Sequence, residues 1–507
     1  MTPSLERVPL VHPSVISFAL SAIALGHALQ ISNGFYDVVA LAWVAASLVL
    51  CLAGALALRA RWRLPRSGST VLCAVMAAGI AWQLTALYNA TPGFYLGANA
   101  SIHLLKAGVV LEAVLIAVGV SGIQRARHFW FPAVLSANLA LGVWMLKASP
   151  DPHIDVVTIH REAIDALLQR KDPYRITLEN IYGTDAHYYY NRDAIVGNRV
   201  AIAYPYPPVS LLFAVPGQVL AGDYRYAELA ALIIGAALIG FARRGVASRL
   251  AACLLLTTPR GLFVLEQGWT EPIAIMLLAA TVFLLQRGSL SAAMAAGLFI
   301  VTKQYLVLAG PAFLKFVFGQ PKHRWPMLLL LAGLAAAAVT LPLALWHPNA
   351  FLKNVVWLQT REPFRGDSLS VLSWAAREGW GNGSFWWAIG AALIALVVAL
   401  LRTPNTAAGF AASVALSCLA MFAFGSKAFC NYYYFVIGAL CCAVTAGLEM
   451  SGRAPDPSTP GVESSHANAT VCPPDSVPHA HQIRLGAGKC ELIAERGHHM
   501  ASGLSSR

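Results

Sequence analysis

The stretch that decides the reading is residues 149–210, SPDPHIDVVTIHREAIDALLQRKDPYRITLENIYGTDAHYYYNRDAIVGNRVAIAYPYPPVS, the longest polar interruption in an otherwise apolar chain. It follows directly on an apolar run that ends at Leu146 and opens with two acids, Asp151 and Asp155. Val156, Ile159, Ala163 and Leu167 then recur at helical spacing while Arg161, Glu162, Asp165 and Arg170 fall elsewhere, which predicts an amphipathic helix lying on an interface. The stretch closes on Tyr-Pro-Tyr-Pro-Pro, where proline stops regular structure before the next apolar segment. Carboxylates at a helix exit followed by an interfacial helix are what a surface-facing site in a membrane protein requires.

The surrounding composition fits that reading. Of 507 residues 57% are hydrophobic and only 12% charged, and the mean hydropathy is +0.61. Soluble chains carry roughly a quarter charged residues, so the expected fold is an all-α polytopic integral membrane protein. The formal charge of +12 is accounted for by basic loops on one side of a bilayer, and no nucleic-acid partner is implied. The first apolar run, Val15 to Ile31, ends without a small-residue cleavage site and is expected to remain as a helix. The nine cysteines have no metal-binding spacing.

Candidate spans fall at about 14–31, 37–58, 69–88, 104–123 and 129–147 before the long loop. After it come about 207–222, 226–242, 248–264, 270–286, 290–302, 305–319, 326–346, 385–402, 406–425 and 431–448. Three regions follow: an N-terminal hydrophobic block, 1–128, of about four helices; a membrane domain, 129–448, containing the external loop 149–206; and a disordered cytoplasmic tail, 449–507, rich in Pro, Ser, Gly and His. Basic residues after the second and fourth spans place 89–103 and 149–206 outside. Lys322, His323, Arg324 and Arg402 place 347–384 and 426–431 on the same side. Arg243, Arg244 and Arg249 belong inside, which requires 207–222 to be re-entrant or a neighbouring helix to be broken.

Several polar groups gather at that outer boundary. Asp155 is placed to act as a general base toward a hydroxyl, while a carboxylate at a helix start also interacts with the helix dipole. Asp151, followed by Pro152, has the usual order of a helix start. Glu266, Gln267 and Glu271 interrupt apolar sequence between Pro259 and Pro272, in the manner of a broken helix lining a cavity. Lys303 sits between two apolar runs, Arg361 and Arg365 in the loop 351–374, and Lys427 and Asn431 before a tyrosine run. Such cations suit phosphate oxygens. Each group also has an ordinary explanation as a snorkelling end residue, a solvated loop charge or an aromatic belt. Together they supply a base, a phosphate clamp and aromatic surfaces for sugar and lipid.

The order Asp155, AIDALLQRKDPY (163–174), YPYPPVSLLFAVP (204–216), EQGWTEPIAIMLLAATVFLL (266–285), AGLFIVTKQYLVL (296–308), DSLS (367–370) and SKAFCNYYYF (426–435) resembles the polyprenyl-phosphate-sugar-dependent glycosyltransferases of the C superfamily. The nearest family is glycosyltransferase family 87, and the resemblance covers about 129–448. It implies a C-superfamily helical bundle with a long external first catalytic loop. The implied reaction moves a hexose or pentose, mannose favoured, with inversion from a polyprenyl-phosphate donor to a hydroxyl of a lipid-linked or envelope glycan. The setting would be the periplasmic face of a bacterial-type inner membrane. Asp155 matches the first-loop acid and would be the base, Lys303 the donor-phosphate lysine, and Gln267 the Gly-Gln-like position, with the glycine following it. Arg361, Arg365, Lys427, Asn431 and Tyr204 complete the implied substrate-binding set. No cofactor is expected, although Asp151 and Asp155 could share a divalent ion. A transporter or lipid-linked sugar flippase is the competing class, and it would call for repeated halves around a midplane site.

Overall fold

A computed structural model describes residues 12–60 and 67–448. Within them the chain runs through α1 (Pro13–Ser32), α2 (Val38–Ala57), α3 (Ser67–Asn89), α4 (Ile102–Val120) and α5 (Trp130–Ala148), then the amphipathic α6 (Asp155–Leu168). Next come α7 (Pro208–Ala221), α8 (Arg225–Gly240), α9 (Val246–Leu256), α10 (Gly261–Glu266), α11 (Glu271–Leu285), α12 (Ser291–Ile300), α13 (Ala309–Phe318) and α14 (Trp325–Ala344). Short pieces α15 (Pro348–Leu352), α16 (Leu358–Arg361) and α17 (Val371–Arg377) lead to α18 (Trp386–Arg402), α19 (Ala407–Ala423) and α20 (Cys430–Gly447). Among the described residues seven helices are long and apolar enough to cross a membrane, the last of them α20. The fold is that of a helical polytopic membrane protein. The all-α expectation needs one amendment: strands Leu178–Glu179, Ile195–Val196 and Arg199–Val200 form a small antiparallel sheet in the long polar loop.

Contacts between loops sort the helix ends into two groups. At one end Arg59 donates to the Thr403 carbonyl (3.1 Å), Arg249 to that of Arg127 (2.7 Å) and Arg324 to that of Gly288 (3.5 Å). At the other, the Tyr36 N–H donates to the Asp367 carbonyl (2.8 Å), that of Gly97 to Ala148 (2.8 Å), and Arg225 to Pro150 (3.2 Å). The basic loops thus share one end of the bundle, and the long polar loop shares the other with 33–37, 90–101 and 353–385. α7 begins and ends at the polar end: Gln304 donates to the Pro205 carbonyl before it (2.5 Å), and Tyr224 after it donates to the Gly268 carbonyl (2.7 Å). With both ends tied to the polar end, α7 does not run from one end of the bundle to the other. α9 and α10 form one interrupted rod, broken over Thr257–Arg260 where Pro259 removes a backbone donor.

The first four helices do not stand apart. One continuous core joins Val15, Phe18 and Leu25 of α1 and Val44 of α2 to Leu255, Phe410, Tyr434 and Leu440. Polar ties cross the same boundary. Thr257 donates to Gln83 on α3 (2.8 Å), and Arg260 donates to the Thr91 carbonyl (2.7 Å). The described residues therefore form one compact unit, and the predicted boundary at 128 falls in a loop between α4 and α5. The predicted tail, 449–507, lies outside the described residues.

Candidate active site

The long polar loop is folded, not merely solvated. α6 buries Val156, Ile159 and Ala163 as its spacing predicts, together with His160 and Ile164, against Tyr174, Tyr204, Leu211 and Tyr224. Glu162 on its other face accepts from the Glu179 N–H (2.8 Å) and from Arg199 (3.0 Å), which ties the small sheet to the helix. The helix starts at Asp155, with Ile154 as its cap. Asp151 is not its first acid but pairs with Arg161 (2.7 Å) while remaining exposed. Asp151 and Asp155 therefore do not converge on an ion, and no group of three His, Cys, Asp or Glu suited to a metal occurs among the described residues.

Asp155 projects into a cluster of aromatic and cationic side chains. Its Oδ2 accepts from the Tyr190 hydroxyl (3.0 Å), and its backbone N–H donates to Tyr182 Oη (3.3 Å). Tyr182 stacks on Tyr189 (3.9 Å between centroids), and the Arg365 guanidinium covers the other neighbourhood of Tyr189 (4.8 Å). The residue keeps a partly accessible edge, yet the protein around the carboxyl strips it of water and holds its pKa above the usual carboxylate range. Hydrogen bonds from Tyr190 and the Val156 N–H, and the charge of Arg365, oppose that rise.

Arg365 and Lys427 are brought together by backbone pairing. The Arg365 N–H donates to the Ser426 carbonyl (3.3 Å) and that of Leu369 to Ala428 (2.9 Å), so the loop 365–369 is laid along 426–428. The loop after α1 joins the same layer through an isolated bridge between Phe35 and Ser368. Gly34 allows this: its φ is +83°, and a Cβ there would run into the Cys430 backbone. Arg365 pairs with Asp367 (2.7 Å), and Lys427 pairs with Glu362. Burial pushes the Lys427 ammonium down to about 7, against the opposing charge of Asp155.

Lys303 lies at the break between α12 and the following turn, in extended backbone, and is almost wholly buried. Its Nζ is 3.4 Å from Glu271 and 4.2 Å from the centre of the Tyr206 ring. Asn431 donates to the same Glu271 oxygen (2.9 Å). Lys303 and Lys427 both line a cavity of about 200 Å³. Its polar side carries Tyr206, Gln304 and Ser426. Its apolar side carries Val307, Leu308, Ile389 and Met421, and Val307 is 59% exposed, so the cavity opens sideways onto the apolar surface. A second, polar cleft of about 380 Å³ lies beside Arg365, between Asp185, Tyr188 and Tyr189 on one side and Phe364 to Asp367 on the other.

The sequence-predicted residues divide accordingly. Asp155 lies within electrostatic reach of Arg365 and Lys427, Lys303 lines the same cavity as Lys427, and Asn431 shares Glu271 with Lys303. Gln267 is buried and donates to Glu266 (3.1 Å). Arg361 is exposed, and its carbonyl accepts from Asn191. Tyr204 is fully buried, bonded to His160 (3.2 Å) and Ser210 (2.8 Å) in the core of the loop. It is Tyr206, two residues on, that faces Lys303. Unanticipated members are Tyr190, Tyr206, Glu362 and Arg225. Arg225 is completely buried and ties Asp223 (2.6 Å) to the carbonyls of Glu266 (3.0 Å) and Pro150 (3.2 Å). The His-Tyr-Tyr-Tyr run at 187–190 and the lone acid–base pair of Asp-Tyr-Arg at 223–225 were the visible signals for two of them.

No protein-family model, curated protein or solved structure matches the chain.

Proposed function

We propose that this protein is a membrane glycosyltransferase that takes a hexose or pentose, mannose favoured, from a polyprenyl-phosphate sugar and places it with inversion on a glycan or glycolipid hydroxyl. The observation that carries the reading is the pairing of Asp155, held by Tyr190 above the usual carboxylate range, with a side-opening cavity whose polar wall holds Lys303 and Lys427. A lipid phosphate needs that combination: cations for the head and an apolar exit for the chain. The polar cleft past Arg365 supplies tyrosine faces and carboxylates, which suit a sugar acceptor.

In this reading the acceptor hydroxyl oxygen attacks the anomeric carbon as its proton passes to the Asp155 carboxylate. The bond from that carbon to the phosphate oxygen breaks, and the electron pair leaves with the polyprenyl phosphate. Lys303 and Lys427 offset the charge that develops there. Arg365, on the Tyr189 face, keeps Asp155 ionised when the proton is due. The site would face the periplasmic side of a bacterial-type inner membrane, the end opposite the basic loops.

The test is transfer by reconstituted protein offered polyprenyl-phospho-mannose, -arabinofuranose and -glucose, with wild type and Asp155→Asn compared. Loss of general-base catalysis predicts a fall of about 10²- to 10⁴-fold in kcat with unchanged thermal unfolding. Transfer that survives the substitution places the base elsewhere. Donor movement across the bilayer without transfer overturns the enzyme reading.

A further inference from the structure

Between α14 and α18 the chain forms one continuous helix from Pro348 to Arg361, made of α15, a π turn over Lys353–Trp357 and α16. Burial along it alternates with a helical period. The inner side is fixed against the core of the long polar loop. Asn354 donates to the Tyr174 carbonyl (3.1 Å) and accepts from the Ala203 N–H (3.0 Å), and the Phe351 ring meets that of Tyr174 (4.9 Å between centroids). Val355 is buried in the same core. The outer side carries Leu352 and Val356 on one stripe and Lys353, Trp357 and Arg361 on the next, all of them exposed. A helix in an aqueous loop would turn polar residues outward, so an exposed Leu-Val-Trp surface marks an interaction face.

The position of this face says what covers it. The helix begins just after the end of α14, which is long and apolar enough to cross a membrane. Leu341, Leu345 and Trp346 carry exposed apolar surface from α14 up to it. The segment returns at the start of the apolar α18, where Trp386 and Trp387 are exposed. Both ends of the segment therefore lie at the membrane boundary, the level that tryptophan favours. We infer that the outer side of 348–361 is a membrane-interface anchor: Leu352, Val356 and Trp357 lie among the head groups and first methylenes of the leaflet at the polar end. Lys353 and Arg361, beside the apolar stripe, reach the lipid phosphates. Helix α6, whose spacing predicts an interfacial position, does not take this role, because its apolar face is used by the loop core. Gln359 and Phe385 line the side-opening cavity, so the anchor sets that opening at the level of the lipid head groups.

Hydroxyl-radical footprinting, read by mass spectrometry on the full chain in phosphatidylcholine nanodiscs, tests the anchor. The protein alone leaves Trp357 56% and Tyr188 63% exposed, so in water both rings would oxidise readily. The expected result is loss of most Trp357 oxidation while Tyr188 is oxidised freely. Phosphatidylcholine brominated near the top of its acyl chains should also quench more tryptophan emission in the wild type than in Trp357→Phe. Oxidation of Trp357 to the same extent as Tyr188 overturns the anchor, because the face is then in water. Protection of both rings overturns it as well, since that is general masking. Protection of Trp357 without the bromine-dependent difference also overturns it, because protein, such as a second copy of the chain, then covers the face. None of these readouts involves sugar transfer, so they stand whether or not transfer is found.

Discussion

Two tyrosines two residues apart in the same Tyr-Pro-Tyr run have different surroundings: Tyr204 bonds His160 and Ser210, and Tyr206 lies under Lys303. Burial pushes His160 down to about 3, so its imidazole is neutral; Nδ1–H donates to the Val156 carbonyl (2.9 Å) and Nε2 accepts from Tyr204. Tyr204→Phe would leave His160 and Ser210 short of a partner inside the loop core and should cost about 2 kcal/mol, read as a lower thermal midpoint. Donor KM should stay near wild type. Tyr206→Leu should do the reverse, weakening donor binding by about 1 kcal/mol through loss of the cation–π contact with Lys303. Titration supplies another residue-scale expectation. In the proposed reaction Asp155 has to be unprotonated, and its raised pKa predicts an acid limb of kcat/KM above the usual carboxylate range. In the proposed reaction Lys427 offsets phosphate charge only while protonated, and its value of about 7 predicts an alkaline limb there. Arginine stays charged throughout, so Lys427→Arg should extend activity to higher pH. An alkaline limb that stays in place in Lys427→Arg would assign it to another group.

The elements carrying these residues are held by polar clamps that bridge distant parts of the chain. Glu266, at the end of α10, accepts from the N–H groups of Phe94 and Tyr95 (both 2.7 Å), so the α3–α4 loop is fastened over the start of α11. Gly93 is required at this contact, because a Cβ would meet the Glu266 carboxyl. Glu266→Ala and Gly93→Val should each raise hydrogen exchange at residues 93–96, by about tenfold or more for Glu266→Ala, given the strength of bonds to a charged acceptor. Unchanged exchange would mean the clamp is not what orders the loop. This is also where legibility in the sequence changed. Helix α6 and its buried face were readable because one periodic face meets one core, and the break near Pro259 because proline leaves a local mark. The clamp was not, since Glu266 and Phe94 are joined only by tertiary folding. The same holds for Tyr204 and Tyr206: both rings lie against His160, and nothing local says which of them bonds the imidazole and which meets Lys303. Asp151 does not start the helix: its partner, Arg161, lies ten residues on, and the Ile154 N–H donating to the Pro152 carbonyl (2.9 Å) makes a tight turn between Asp151 and α6.

At the scale of the molecule, the helices before residue 120 complete the core that supports the site. α1 packs along α20 and α2 against α19, with Val15 meeting Gly447 at one end and the Gly34 turn against Cys430 at the other. α20 begins three residues after Lys427 and carries Asn431, and Tyr433 on it donates to the Leu369 carbonyl (2.5 Å) in the loop that aligns Arg365. Removing α1 and α2 would expose the Phe410, Tyr434 and Leu440 faces and unseat the loop that pairs with 426–428. The segment 129–448, which covers the resemblance to glycosyltransferases, should therefore not fold alone. Expressed without residues 1–128 it should be recovered aggregated or degraded. Co-expressed with 1–128 as a separate chain, it should copurify as a stable pair, because the α4–α5 connection lies at the basic end, away from Asp155, and contributes no residue to either site-end cavity. A monodisperse, stably folded 129–448 would show instead that the N-terminal helices are an accessory layer. The site would then owe its alignment of Arg365 and Lys427 to the backbone pairing of 365–369 with 426–428 alone.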